Sequence, residues 1–254
     1  MTVAWVEADW PAPPGVRAIA TFRDGGVSAA PYASLNLGDH VGDDPAAVAE
    51  NRRRLGLDAA LPAEPSWLRQ VHGAAVADLD SLECVARAEG DSPITADAAV
   101  ARRPGRVCAI LTADCLPILL ASDSGDRVAA AHAGWRGVAA GVIEAAIRAT
   151  GLSPERLMAW LGPGIGPAHF EVGAEVREAL LAGDPGAQAA FALNARGRFM
   201  ADLEQLARRR LAAAGIDRIY GGGQCTFSDR ARYFSHRRDT VTGRQAALIW
   251  LAER

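Results

Sequence analysis

The chain has 254 residues, half of them hydrophobic, and a formal net charge of −3. A chain of this length buries a sizeable core as one large domain or two small ones, and its mild acidity gives no case for nucleic acid or an anionic membrane surface as a partner. All 27 basic residues are arginine, which excludes a Schiff-base lysine and a lysine-bearing phosphate loop.

Cysteines at 84, 108, 115 and 225 do not form a disulfide framework in a chain this long and suit a reducing cytoplasm. Glu7, Asp9 and several prolines replace the basic and apolar parts of a leader, so no signal peptide is expected. The longest nearly apolar run, about 15 residues, contains Asp114 and falls short of the roughly 20 needed to span a bilayer.

In chain order, Met1–Pro14 reads as irregular, Val16–Arg23 as a first strand and Asp24–Gly26 as a turn. Tyr32–His40 has too little periodicity for a helix. Asp44 before Pro45 is an N-cap followed by a residue that needs no N–H, so a helix is expected to about Leu55, with Gly56 as its stop. Trp67–Val71 reads as a short strand ending on His72-Gly73, with Val76–Leu79 as its hairpin partner. Glu89–Thr95 is a polar loop, and Ala96–Ala101 is a strand carrying Asp97.

The runs Val107–Ala113 and Leu116–Ala121 sandwich Asp114-Cys115 and predict strands covered on both faces. After the turn Ser122–Asp126, a strand over Arg127–Ala133 delivers His132. Gly134-Trp135-Arg136-Gly137 breaks it, and Val138–Ala149 reads as a helix. Leu157–Leu161 is a strand into the glycine-rich turn Gly162–Pro167, which lacks the spacing of a dinucleotide fingerprint. Helices are expected over Glu171–Leu181 and, amphipathically, Phe199–Ala214, with a loop at Gly183–Gly186 between them. Gly221–Gly223 and Cys225-Thr226 open a last segment that ends in the strand Ala246–Leu251. Clustered strands with helices between them predict one α+β, or mixed α/β, domain.

His72, Cys115 and His132 all fall at predicted strand ends. Two imidazoles and a thiol leave a tetrahedral zinc one open position, the mark of a catalytic site. A His–Cys nucleophile pair without a metal uses the same residues, and no CxxC or HExxH spacing decides between the two. The plainer reading makes Cys115 a small core residue; His40, His169 and His236 could supplement either arrangement, though each alone reads as a loop or surface imidazole. Gly134–Gly137 opens a helix, and its N–H groups with the Arg136 fork suit an anion; a tight turn with a solvated arginine is the alternative.

Taken together, LNLGDHVGDD with ENRRRL, QVHG, DAAVA, LTADCLPILL, AHAGWRG, LGPGIGP with FEVG, and FSHRRD with GRQ resemble the YfiH-type family, from about Asn36 to Arg244. That family has also been labelled multicopper polyphenol oxidase or laccase-domain protein. It includes purine nucleoside phosphorylase/adenosine deaminase enzymes and the peptidoglycan editing factor. The resemblance implies an α/β/β/α sandwich in a single catalytic domain over 1–254. It implies zinc on His72, Cys115 and His132, and a purine nucleoside site at the sheet mouth faced by Asn36, Arg52 and Gln70. Phosphorolysis would use inorganic phosphate as co-substrate, held by Arg136 or Arg52, with adenosine deamination and methylthioadenosine phosphorolysis as side activities. A cytoplasmic monomer is expected. Asp97 and Asp114 are either proton carriers or, as we prefer, orienters of the ligand imidazoles. Ala168-His169-Phe170 and His236 depart from the cysteines and tyrosines of many relatives and bear on substrate choice.

Three other activities fit the same residues in part. A peptidoglycan editing amidase acting on UDP-muramoyl-L-serine would use Cys115 as nucleophile or ligand. A copper polyphenol oxidase is disfavoured, because five histidines are too few for a blue copper plus a multicopper cluster. A non-catalytic nucleoside sensor would bind without turnover.

Overall fold

Side chains alternate between the two faces of a strand, and here both faces are apolar. In the computed structural model, which describes residues 2–81 and 92–253, this alternation builds two stacked sheets. One is antiparallel throughout, in the order β1 (Trp5–Glu7), β2 (Val16–Thr21), β13 (Gln245–Leu251), β5 (Val107–Thr112). The other runs β12 (Ile219–Gly221), β8 (Leu157–Leu161), β6 (Leu116–Ser122), β7 (Val128–Ala133), β4 (Ala98–Ala101), β3 (Val76–Asp78). Only its outermost pairs, β12–β8 and β4–β3, are parallel.

Cys108 and Ile110 of β5 and Ala247 and Ile249 of β13 meet Leu119 of β6, Ala130 of β7 and Trp160 of β8 between the sheets. The intervening residues of the first sheet, such as Ala109, Leu111 and Leu248, pack on Leu35 and Leu37 of the preceding loop and on Leu55 of α1 (Pro45–Asp58). The outer face of the second sheet, with Ile118, Leu120 and Ala131, is covered by α2 (Trp135–Ala140), α3 (Val142–Thr150), α4 (Ala174–Gly183) and α5 (Leu203–Ala213). The layers are therefore helix, sheet, sheet, helix, the mixed α+β sandwich that the resemblance implies. Strands β5 and β6 are separated only by Ala113–Cys115, yet lie in different sheets. This short turn thus crosses from one sheet to the other.

Several local expectations change. Trp5–Glu7 is a strand rather than irregular chain. Trp67–Val71 is a strap with isolated bridges only, Ser66 to Cys108 and Arg69 to Thr95, and Val76–Asp78 pairs with β4 in parallel instead of closing a hairpin. Gly56 has open space around it and no left-handed backbone, so α1 passes through it. The helix expected from Val138 starts at Trp135 and breaks at Gly141, whose φ is 86°. The patterns at Glu171 and Phe199 each begin with a short strand. Strands β9 (Glu171–Val172), β10 (Phe191–Leu193) and β11 (Phe199–Ala201) pair in a small sheet before α4 and α5 begin. A 3₁₀ helix, Pro185–Ala190, occupies the expected loop. The expected loop residues 89–91 and Cys84 lie outside the described residues. Cys108, Cys115 and Cys225 are free thiols. Among the described residues no helix is long and apolar enough to cross a membrane.

The loop from Gly26 to Gly38 is held to α1 by one buried amide. Asn51 Oδ1 accepts the Val27 N–H at 2.8 Å, and Nδ2 donates to Ser28 Oγ and Asn36 O at 2.8 Å each. Asn51→Ala strands these buried partners and is expected to cost roughly 2–4 kcal/mol, read as a lower urea midpoint with an unchanged m-value.

Candidate metal centre

The register of β6 and β7 pairs Leu116 with Ala133 and Pro117 with His132. On β7, Val128 and Ala130 face the other sheet, and by the period of two so does His132. On β6, Leu119 and Ala121 do so, which sends Cys115, just before the strand, to the same side. At this end of the sandwich the apolar filling gives way to a cavity of about 400 Å³ lined by His40, Gln70, His72, Cys115, His132, Arg136, His236 and Arg244, together with Leu111–Ala113.

His72 comes from the strap, and a carboxylate puts it there. Asp97, fully buried just before β4, accepts N–H bonds from Val71 (3.2 Å), His72 (2.8 Å) and Gly73 (2.7 Å). The same carboxylate takes the His132 Nδ1–H at 2.9 Å, while the Asp97 carbonyl accepts the His132 backbone N–H at 2.7 Å. Fixing Nδ1–H on Asp97 leaves His132 Nε2 as the free ring nitrogen. His72 adopts a left-handed φ of 62° to meet these bonds.

The crossing turn is held just as tightly. Asp114 has φ 99°, a strained conformation for a residue with a side chain. It is over-determined by Thr226 Oγ1 (2.7 Å) and the Arg237 N–H (2.6 Å) on its carboxylate and the Ile165 N–H on its carbonyl (2.8 Å). Opposite Cys115 stands Gly134, where a Cβ would lie 2.8 Å from the Cys115 sulfur and 3.2 Å from His72 Cδ2. Glycine is needed here for close approach rather than for backbone freedom.

The Cys115 sulfur lies 3.8 Å from His72 Nε2, the two imidazole centroids are 4.7 Å apart, and the nearest ligand atoms of His72, Cys115 and His132 all fall within 4.8 Å of one another. One thiolate and two neutral imidazoles suit a borderline-soft divalent ion, and ligand bonds of about 2.0–2.3 Å require separations only slightly smaller than these. In the metal-free protein, burial pushes the Cys115 thiol up, but His132 and then His72 outweigh it and bring it down to about 6. Burial likewise opposes charge on His132, but the Cys115 sulfur and then Asp97 raise it to about 9. Asp97 stays below its usual value, since His132 and the strap N–H groups overcome its burial.

The other expected residues divide. Gln70 lines the cavity, with its amide paired to both backbone groups of Leu111 at 2.8 Å. Arg136 lies exposed at the rim, over the Trp135 ring. Asn36 and Arg52 do not line it. The Asn36 amide is taken up by Gly38, Asp43 and Arg244, and Arg52 binds the Leu37 carbonyl and covers the Trp67 ring. His169 stacks on Phe227 away from the centre. His40, His236 and Arg244 do reach the cavity. They stand inside the motifs that carry the family resemblance, but single loop residues have no periodicity that would mark them.

Asp97→Asn keeps the shape of the residue but weakens its hold on the His132 ring and on the His72 backbone N–H, and is expected to loosen metal binding about 10- to 100-fold in a chelator competition. In metal-stripped protein a thiol brought to about 6 is ionised above that pH. Iodoacetamide labelling of Cys115 should therefore rise through pH 6 and be flat by pH 8, where an ordinary thiol of about 8.5 is still rising.

A protein named purine nucleoside phosphorylase PA4543, from Pseudomonas aeruginosa, is 54% identical over 251 residues, covering 98% of this chain and 99% of its own. Purine nucleoside phosphorylase YfiH from Escherichia coli is 50% identical over 242 residues, 95% of this chain and 96% of its own. The crystal structure of Neisseria meningitidis protein NMB0706 superposes with a TM-score of 0.92 at 44% identity, covering 98% and 99% of the two chains. That of YlmD from Geobacillus stearothermophilus superposes at 0.91 and 33% identity, covering 98% and 96%. The profile of the multi-copper polyphenol oxidoreductase laccase family matches residues 17–252, and with these relatives it places the chain in that family, the one to which the YfiH proteins belong.

Proposed function

We propose that the protein is a zinc-dependent purine nucleoside phosphorylase working as one catalytic domain over residues 1–254. One observation carries the reading: His72, Cys115 and His132 converge on a cavity of about 400 Å³ in a chain 54% identical to a protein named purine nucleoside phosphorylase. The cavity has the size of a small-molecule site. Three free thiols support a cytoplasmic setting. A monomer is the simplest form consistent with a site built from one chain.

In the reaction, an oxygen of phosphate forms a bond to ribose C1′ while the C1′–N9 bond breaks and the purine departs with the bonding electrons. His72, Cys115 and His132 would hold zinc, which when bound supplies a Lewis acid for an oxygen of the reactants. The chain's own groups do the remainder. Asp97 keeps His132 in the tautomer that presents Nε2 and fixes His72 on its strap. The Gly134 gap keeps the sulfur in reach. Exposed Arg136 attracts anions to the rim, and Gln70 holds the Leu111 end of β5 as one wall. Asn36 and Arg52 act from behind, shaping the loop that carries His40. Adenosine deamination and methylthioadenosine phosphorolysis are proposed as side activities of the same centre.

The lowered Cys115 thiol beside His72 is the one feature that favours a thiol amidase instead. Purified protein should hold about one zinc per chain and release hypoxanthine from inosine plus phosphate. His72→Ala and Cys115→Ala should each lose the metal and at least about 100-fold in kcat/KM. Undiminished hypoxanthine release by both variants would remove the zinc-centred scheme, and metal-independent amide hydrolysis abolished by alkylating Cys115 would favour the amidase.

A further inference from the structure

Arg244, the residue before β13, lines the cavity. Its position is set at three points. The stem lies across Gly38, where a Cβ would meet Arg244 Cγ at 2.8 Å. The backbone N–H donates to Asn36 Oδ1 at 2.8 Å. Nη1 donates to the Thr242 and Gly243 carbonyls at 3.0 Å each.

What it lacks is an anion in direct contact: the Cys115 sulfur and the Asp114 carboxylate act on it only from a distance, and its burial outweighs them. Among the described residues, its guanidinium bonds only to backbone carbonyls and forms no ion pair with a carboxylate, leaving Nε and Nη2 unspent. Arg52, by contrast, has Asp39 at 3.5 Å, and Arg136 is exposed to solvent. A half-buried guanidinium with no counter-ion bonded to it is costly, and its planar fork matches the oxygens of a tetrahedral anion. Its charge is felt across the cavity: burial and then Arg244 push the His40 imidazole down.

We propose that Arg244 is the oxyanion-binding residue of this cavity and holds the phosphate co-substrate beside the metal centre, with Asn36 and Gly38 fixing the arginine from behind. Naming phosphate as the reactant rests on the phosphorylase reading; the anion site itself does not. Arg244 gives up no proton and stays charged throughout. It positions the phosphate while the C1′–O bond forms and the C1′–N9 bond breaks.

The test uses metal-loaded full-length protein. Arg244→Gln should raise the KM for inorganic phosphate about 10- to 100-fold, with the KM for inosine and the metal content near wild-type values. Arg244→Lys, which keeps stem and charge but loses the fork, should weaken phosphate about 3- to 10-fold, and Arg136→Gln should change it less than either. Calorimetric titration of inorganic phosphate gives a readout without turnover, and the same order of affinities is expected there. Undiminished phosphate affinity in either Arg244 variant overturns the proposal, as does a loss confined to Arg136→Gln. Phosphate binding that depends on Arg244 in a protein that cleaves no nucleoside sustains the anion site and rejects the phosphorylase reading.

Discussion

The Asp97 carboxylate is the interaction on which the site depends. Buried acceptors must be satisfied, and this one is satisfied from two directions. Three consecutive strap N–H groups approach from one side and the His132 ring from the other. A strap that makes only isolated bridges to its neighbours has few backbone bonds of its own to define it. The carboxylate supplies that definition, so the placement of His72 and the orientation of His132 follow from a single charge.

The centre sits where the sandwich changes character. Between the sheets the packing is apolar and alternates strictly; at the mouth the same alternation presents Cys115 and His132 to an open cavity lined mostly by polar side chains. The turn between β5 and β6 ties the sheets together there, and the bonds on Asp114 recruit the segment after β8 and the one before β13 to the same spot. Six distant parts of the chain therefore share one rim. With no lysine in the chain, positive charge at that rim comes from arginines and histidines alone.

The sandwich core was legible because apolar runs bounded by turn residues leave few alternatives: β4 to β8 and β13 lie within a residue or two of where periodicity puts them. The edges were not. A two- or three-residue strand such as β9 or β11 is fixed by its neighbour rather than by its own pattern, so it merges with the helix that follows. The strap failed for a related reason. Trp67–Val71 has the composition of a strand, but it is held through the Asp97 carboxylate and through its own Gln70 amide on the Leu111 backbone, which no local rule reveals. Of the site, the Cys115–His132 pairing could be read from two adjacent strands with their ends aligned, and His72 from its place after a strand-like run, while Asn36 and Arg52 were assigned roles by family resemblance alone. Arg244 stands in a motif of the resemblance, but no sequence pattern assigned it a role, because what distinguishes it is the want of a bonded counter-ion, a property of three dimensions.

Gly134 has a bearing on how such a chain can change over generations. The room that any larger amino acid would need there is already taken by a sulfur atom and the edge of an imidazole. Replacing this glycine and surrendering the thiol are therefore not independent events: a descendant that gives up Cys115 regains freedom at position 134, and one that keeps the thiol inherits the glycine with it.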